Sequence, residues 1–172
     1  IDTIGGIERL NHENVCDKHF KGDWGEKGFL SFQKGYERAI PDWLLMLDTL
    51  DAIHEQGVTI VLLSHAQVLT FKNPLGEDFD RWVSDLHSKT WNVTHRWADC
   101  VFFGNMLSII DTDSPKAKKG KGIGGTERIL YCEYRDAYDA KNRYGMEPEY
   151  TIPNQPKDVW PMIWNAITKK GA

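Results

Sequence analysis

The run Val58–His65, VTIVLLSH, constrains the fold more than any other segment. It is nearly unbroken apolar, β-branched in its first half, and follows Gly57 directly. A strand with apolar residues on both faces has to be covered on both, which predicts a buried strand of a parallel sheet. The segment before it reads as a helix from Tyr36 to Gln56. Trp43, Leu44, Leu47, Leu50 and Ile53 recur there at three- and four-residue spacing. Pro41 kinks that helix or starts its main body, and Gly57 stops it.

The same alternation continues along the chain. Residues 1–10 read as a strand end, a Gly-Gly turn and a helix start. Residues 11–35 read as a long polar loop with at most one helical turn. Residues 66–86 read as a second long loop containing Pro74 and Gly76, and residues 87–97 as a helix. Asp99 to Asn105 is a second buried strand, running on as far as Ile110, and Arg128 to Glu133 a third. Trp160, Ile163, Trp164 and Ile167 mark one face of a short final helix. The expected fold is one α/β domain over residues 1–172, a mainly parallel sheet flanked by helices. Ligands of such sheets sit at the carboxyl ends of strands, which directs attention to Asp2, His65 and the loops beyond.

Bulk composition narrows the class. A chain of 172 residues with formal net charge −4 is not drawn as a whole to nucleic acid or anionic membrane, so a polyanion site has to be local. Three cysteines, Cys16, Cys100 and Cys132, form no disulfide framework and fit a reducing compartment. With no apolar run of membrane-spanning length, the chain reads as soluble and intracellular. Ile1-Asp2 reads as the end of a strand begun upstream.

Several groups carry chemistry. Asp2 and Thr3, a carboxylate and a hydroxyl at a strand end, are what a phosphoryl-transfer site uses to hold Mg2+ and its waters. The alternative is Asp2 capping the next helix. Glu8 orients an attacking water or is a first-turn helix charge. His65 senses a phosphate from its strand end or bonds within a loop base. His12, Cys16 and His19 would share a helix face and offer zinc three ligands, or they form a polar face. Lys116, Lys118, Lys119 and Lys121 grip phosphates or are solvated. Lys72 and Arg81, set among Phe71, Phe79 and Trp82, have the composition of a single-strand stacking platform or of a loop pinned by its aromatics. Lys141 and Arg143 lie in a short turn, KNRYG, ending on Gly145.

Taken in order, these segments resemble the RecA-like recombination ATPases, most closely phage-type ATP-binding proteins related to RadA. KNRYG at 141–145 is similar to the RadA KNRFG motif, IDTIGG to a Walker B segment, and VLLSH to the strand carrying the nucleotide-sensing residue. The resemblance implies a RecA-like P-loop core that binds ATP and Mg2+ and couples hydrolysis to single-stranded DNA. It implies self-association as a ring or filament, and a bacterial or phage-infected cytoplasm. Asp2 would be the Walker B aspartate acting on Mg2+ through water, with Thr3 beside it, and His65 the sensor. Residues 11–35 and 66–86 would be the two DNA loops. Lys141 and Arg143 would reach a neighbour's ATP phosphates. No G-x-x-x-x-G-K-[S/T] occurs in the sequence. In the family it precedes Walker B, so it and the catalytic glutamate would lie before Ile1, and the segment alone would not hydrolyse ATP. Two other readings remain: a non-enzymatic module binding single-stranded nucleic acid or a protein partner, and a metal nuclease built on Asp2, Glu133 and a lysine.

Overall fold

The computed structural model describes residues 1–111 and 121–168. The chain divides into two compact units, Ile1–Ala98 and Asp99–Ala172. The first contains α1 (Ile4–Phe20), a 3-10 turn at Ser31–Gln33, α2 (Lys34–His54), β1 (Ala66–Phe71), β2 (Phe79–Ser84) and α3 (Ser88–Trp97). The second contains β3 (Phe103–Asp111), β4 (Lys121–Tyr131), β5 (Glu149–Ile152) and α4 (Pro156–Thr168).

Three helices build the first unit's core. Ile4 of α1, Trp43, Leu47 and Leu50 of α2, and Leu86 just before α3 form one buried cluster. The spacing 43, 47, 50 places these α2 side chains on one stripe, so the helix expected from that periodicity forms and buries it. The Trp43 indole N–H donates to Thr94 Oγ1 at 2.9 Å, and Thr94 Oγ1 donates to the Thr90 carbonyl at 2.8 Å. The indole thus buries its ring without stranding its donor. Val15, Cys16, Phe29 and Ala39 form a second cluster, which Phe20 and Tyr36 flank. Gly35 lies against the Phe29 ring, where a Cβ would have no room.

Helix α1 departs from the expected Gly-Gly turn and loop. Gly5 and Gly6 lie inside its first turn, and it continues to Phe20. Its buried stripe is Ile4, Glu8, His12, Val15 and Cys16. Two of these five are polar, which breaks the apolar periodicity that marks a helix. Glu8 is satisfied by the His87 backbone N–H, which donates to both carboxylate oxygens at 3.1 and 3.2 Å. The His12 ring packs on Phe29 and Tyr36, and its Nε2 is buried without a hydrogen-bond partner. Cys16 is fully buried and His19 is exposed, so the three candidate zinc ligands do not share one accessible face. No group of three or more His, Cys, Asp or Glu side chains able to hold a metal occurs among the described residues.

The expected loop 66–86 is a β-hairpin. β1 and β2 pair antiparallel from Ala66↔Ser84 to Phe71↔Phe79. Cross-strand pairs hold it: the Phe71 and Phe79 rings lie 5.2 Å apart, and Thr70 Oγ1 donates to Asp80 at 2.8 Å. The polar residues among the aromatics hide the strand in the sequence.

The sheets are where expectation and structure differ most. Both named sheets are antiparallel: β1-β2 in the first unit, β3-β4-β5 in the second. Among the described residues, parallel pairing occurs at one bridge, Asp2↔Leu63. Val58–His65 is extended beside residues 1–4. Ile60 and Leu62 pack on the helical core, while Val61 and Leu63 on the other face remain about half exposed. The segment has cover on one face and one strand partner, so it forms a bridge rather than the interior of a sheet. In the second unit, Phe103, Tyr131 and Tyr138 form a cluster in which each ring lies against the other two. The strands begin and end away from the expected bounds, β3 at Phe103 and β4 at Lys121. Helix α4 forms as expected, with Trp160 and Trp164 exposed and their rings 6.0 Å apart.

Two outcomes follow from this core. Trp43→Ala should lower unfolding free energy in urea by about 3–5 kcal/mol, the cost of emptying a large aromatic site, and Trp43→Phe by about 1 kcal/mol for the lost indole bond. The second concerns pH. Burial holds His12 and His87 below the usual imidazole value of 6.5, with the Glu8 charge partly opposing it. The unfolded chain therefore binds protons that the folded chain refuses. This stability is intact above 6.5 and is lost as pH falls through that value towards the depressed folded values. The urea midpoint should drop between neutral and mildly acidic pH, and His12→Phe should flatten the slope. An unchanged slope in the variant would remove His12 as the source.

Candidate functional site

The first cluster of functional groups forms where residues 1–4 meet Val58–His65. The Ile1 nitrogen donates to the Val61 carbonyl at 2.8 Å, the Leu63 N–H to the Ile1 carbonyl at 2.9 Å, and the Ile4 N–H to the Leu63 carbonyl at 2.8 Å. This ladder sets Asp2, exposed, and Thr3, the N-cap of α1, at one strand end. The Asp2–Thr3 peptide is cis. The Thr3 side chain makes no capping bond to α1, and the helix starts on the bond to Leu63.

Ser64 follows Leu63 at the same end. Its Oγ lies 2.7 Å from Ser84 Oγ and donates to Asp85 Oδ1 at 3.1 Å. The Asp85 N–H donates to the His65 carbonyl at 3.0 Å. These bonds clasp the base of the hairpin. The Asp85 carboxylate also stands over α1's first turn, 3.8 Å from where a Cβ on Gly5 would sit. The sequence singles out the polar pair Ser64-His65, of which His65 is exposed, but not Ser84 and Asp85. The signal available was the polar pair Ser84-Asp85 ending a strand that the sequence did not reveal.

Oxygen donors at this end suit a hard cation. Magnesium at an ATP site needs one or two carboxylates, its other positions being waters and phosphates. Asp2 would be the carboxylate and Thr3 a hydroxyl for such an ion. Glu8, the other candidate here, is spent on the His87 N–H.

The hairpin carries Lys72 and Arg81. Lys72 pairs with Asp78, and the Arg81 guanidinium lies 5.8 Å over the Phe71 ring. Across residues 66–84, two cations (Lys72, Arg81) face three anions (Glu77, Asp78, Asp80), so the ribbon is not basic. Beside these charged groups it exposes large apolar side chains: Val68, Leu69, Phe71, Trp82 and, at the tip, Leu75. Lys116, Lys118 and Lys119 lie outside the described residues, and Lys121 opens β4 opposite Asp111.

The second unit builds the KNRYG turn. Lys141 and Val101 exchange both backbone hydrogen bonds, at 2.8 and 2.7 Å. Asn142 Nδ2 donates to the Cys132 carbonyl at 2.9 Å, and Asn142 Oδ1 accepts from the Met146 N–H at 2.9 Å. Gly145 supplies the left-handed backbone, φ 63°, between them. Arg143 Nη1 meets Asp99 Oδ1 at 2.7 Å, and Tyr144 OH donates to Asp99 Oδ2 at 3.4 Å. The turn is therefore held through Asn142 and Asp99, neither of which stood out in the sequence. Burial, then the Arg143 charge, hold the Lys141 ammonium below its ordinary pKa. Burial pushes the nearby Cys100 thiol up and, together with Cys100, pushes Cys132 up to about 12, so both stay thiols. Glu133, the carboxylate considered for a nuclease, faces Arg135 at 3.7 Å.

Among the described residues no helix is long and apolar enough to cross a membrane. No curated protein and no solved structure matched the chain significantly. A family model, AAA_24, described as an AAA domain, matches residues 1–144. That span takes in the strand-end carboxylate, the Ser64–Asp85 clasp and the turn as far as Tyr144. The chain belongs to this AAA domain family, of P-loop ATPase type, which implies nucleotide binding and usually Mg2+.

Proposed function

We propose that this chain supplies two parts of the ATP site of a RecA-like, DNA-coupled ATPase. Asp2 and Thr3 provide the metal-side oxygens, and Lys141 and Arg143 the cations that reach a neighbouring protomer's phosphates. The observation that carries the reading is the KNRYG turn, which the family match covers as far as Tyr144. Its backbone is fixed on both sides of Arg143, so a long cationic side chain projects from a rigid base. A guanidinium so mounted stabilises charge developing on a transferred phosphoryl group. When bound, Mg-ATP supplies the reacting phosphate. Asp2 orients the cation's waters, and His65 and Ser64, at the adjoining strand end, register the phosphate and pass its presence to the hairpin base. Because the cations act on a neighbour's nucleotide, protomers associate head to tail as a ring or filament.

Single-stranded DNA is the proposed coupled ligand, with two contributions. The hairpin offers Phe71, Phe79 and Trp82 as stacking groups, and the Lys116–Lys121 segment supplies charge. Replacing Phe71 and Trp82 by alanine should weaken DNA binding at every salt concentration alike. Neutralising Lys116, Lys118, Lys119 and Lys121 should instead flatten its dependence on log salt.

Complementation tests the ATP site in the full-length protein. Lys141→Ala/Arg143→Ala should cut turnover about 10³-fold or more, as loss of an arginine finger does, while ATP binding persists. Asp2→Asn should also be inactive. Mixing the two inactive proteins should restore part of the turnover, because some interfaces then pair an intact metal side with intact cations. No recovery on mixing would mean that the cations do not act in trans.

A further inference from the structure

The proposed trans-acting cation already has a partner. Arg143 Nη1 sits 2.7 Å from Asp99 Oδ1, and Tyr144, next in the turn, directs its hydroxyl to the other oxygen of the same carboxylate. Asp99 precedes Val101, whose backbone pairs with Lys141, so both ends of the ion pair are tied to one backbone junction. The side chains of Arg143 and Asp99 are 56% and 49% exposed. A carboxylate on the guanidinium and a phosphate on the guanidinium compete for the same positive charge and the same planar donor edges.

We propose that Asp99 is the resting partner of Arg143, a positioning residue that holds the guanidinium against the turn until a polyphosphate displaces it. This rests on the reading of Arg143 as a phosphate-directed group. The ion pair is suited to exchange. An ion pair this exposed is worth little, so a triphosphate with several negative oxygens outcompetes a single carboxylate. Meanwhile the Lys141–Val101 pairing and the Asn142 bonds keep the backbone in place, so only the side chain has to move. Tyr144 gives the carboxylate a second donor, which keeps it hydrogen-bonded after Arg143 leaves. Asp99 thus limits how readily Arg143 takes up anions without its proper ligand.

The test is a titration of the 172-residue chain with tripolyphosphate at low salt, followed by NMR of the arginine side-chain N–H signals. Wild type, Asp99→Asn, Arg143→Ala, the double variant and Asp99→Glu are compared. Asp158→Asn, in the first turn of α4, controls for net charge. Asp99→Asn should bind up to about fivefold tighter, the limit set by an exposed pair, and the gain should shrink as salt rises. Asp99→Glu should stay near wild type, which separates lost charge from lost fold. In the double variant the gain should vanish. The proposal is overturned if Asp99→Asn binds no tighter than wild type, if Asp158→Asn gains equally, or if the gain survives in the double variant. If Arg143→Ala binds tripolyphosphate as wild type does, the failure lies with the phosphate-directed reading of Arg143. If Arg143→Ala weakens binding and Asp99→Asn changes nothing, only the role of Asp99 fails.

Discussion

Three backbone hydrogen bonds between residues 1–4 and 61–63 organise the first unit. The Leu63 carbonyl takes the first N–H of α1, so the helix leaves directly from the strand end with no intervening turn. That junction puts Asp2 and Thr3 beside Ser64. Ser64 holds Asp85, Asp85 stands over Gly5, and Leu86 beyond it enters the core next to Ile4. The next residue, His87, gives its N–H to Glu8 of α1. The polar groups proposed to meet nucleotide and the apolar groups that hold three helices together are alternate links of one chain of contacts. Loosening the strand pairing would therefore disturb α1, the hairpin base and the start of α3 together.

The second unit fixes the backbone of the KNRYG turn and leaves the Arg143 head group on a half-exposed ion pair. Lys141 and Asn142 are fixed by backbone pairing and by a side chain bridging two main-chain groups. Arg143 is held by a surface ion pair, an interaction of small net value in water. A firm backbone leaves only the side chain to be ordered on binding, and limits the region in which the charge can sit. Asn142 is the residue that makes this arrangement possible. Its short amide both donates and accepts, which lysine and arginine on either side cannot do.

Much of this was legible in the residues. The stripe of Trp43, Leu47 and Leu50 announces α2, and the order of segments around Asp2 and Val58–His65 points to an ATPase of P-loop type, as the AAA domain match bears out. Other features were hidden for physical reasons. Helix α1 buries Glu8 and His12 on its inner face, and a polar residue on a buried stripe breaks the pattern that periodicity detects. The hairpin places charged and aromatic residues across from one another, so it reads as a loop until the register is known. The parallel sheet suggested by VTIVLLSH is represented by one bridge among the described residues, where residues 1–4 run beside the apolar segment while Val61 and Leu63 stay half exposed. Asp99 and Asp85 gave no signal because each matters through a partner far along the sequence, Arg143 and Ser64.

The hairpin Ala66–Ser84 has a consequence of its own. A ribbon of two strands has no third strand to share its ladder, and such ribbons are marginal in water. It is anchored at its base by Ser64, Ser84 and Asp85, while its tip, with Leu75 almost fully exposed, makes no core contact. Its amides will therefore exchange with solvent by opening of the ribbon alone, long before the helices around Trp43 come apart. The free energy needed to straighten, twist or re-pair those strands is small compared with that of unfolding the unit. The ribbon can thus take the shape of whatever it meets while its base, and the strand end that carries Asp2, stay where they are.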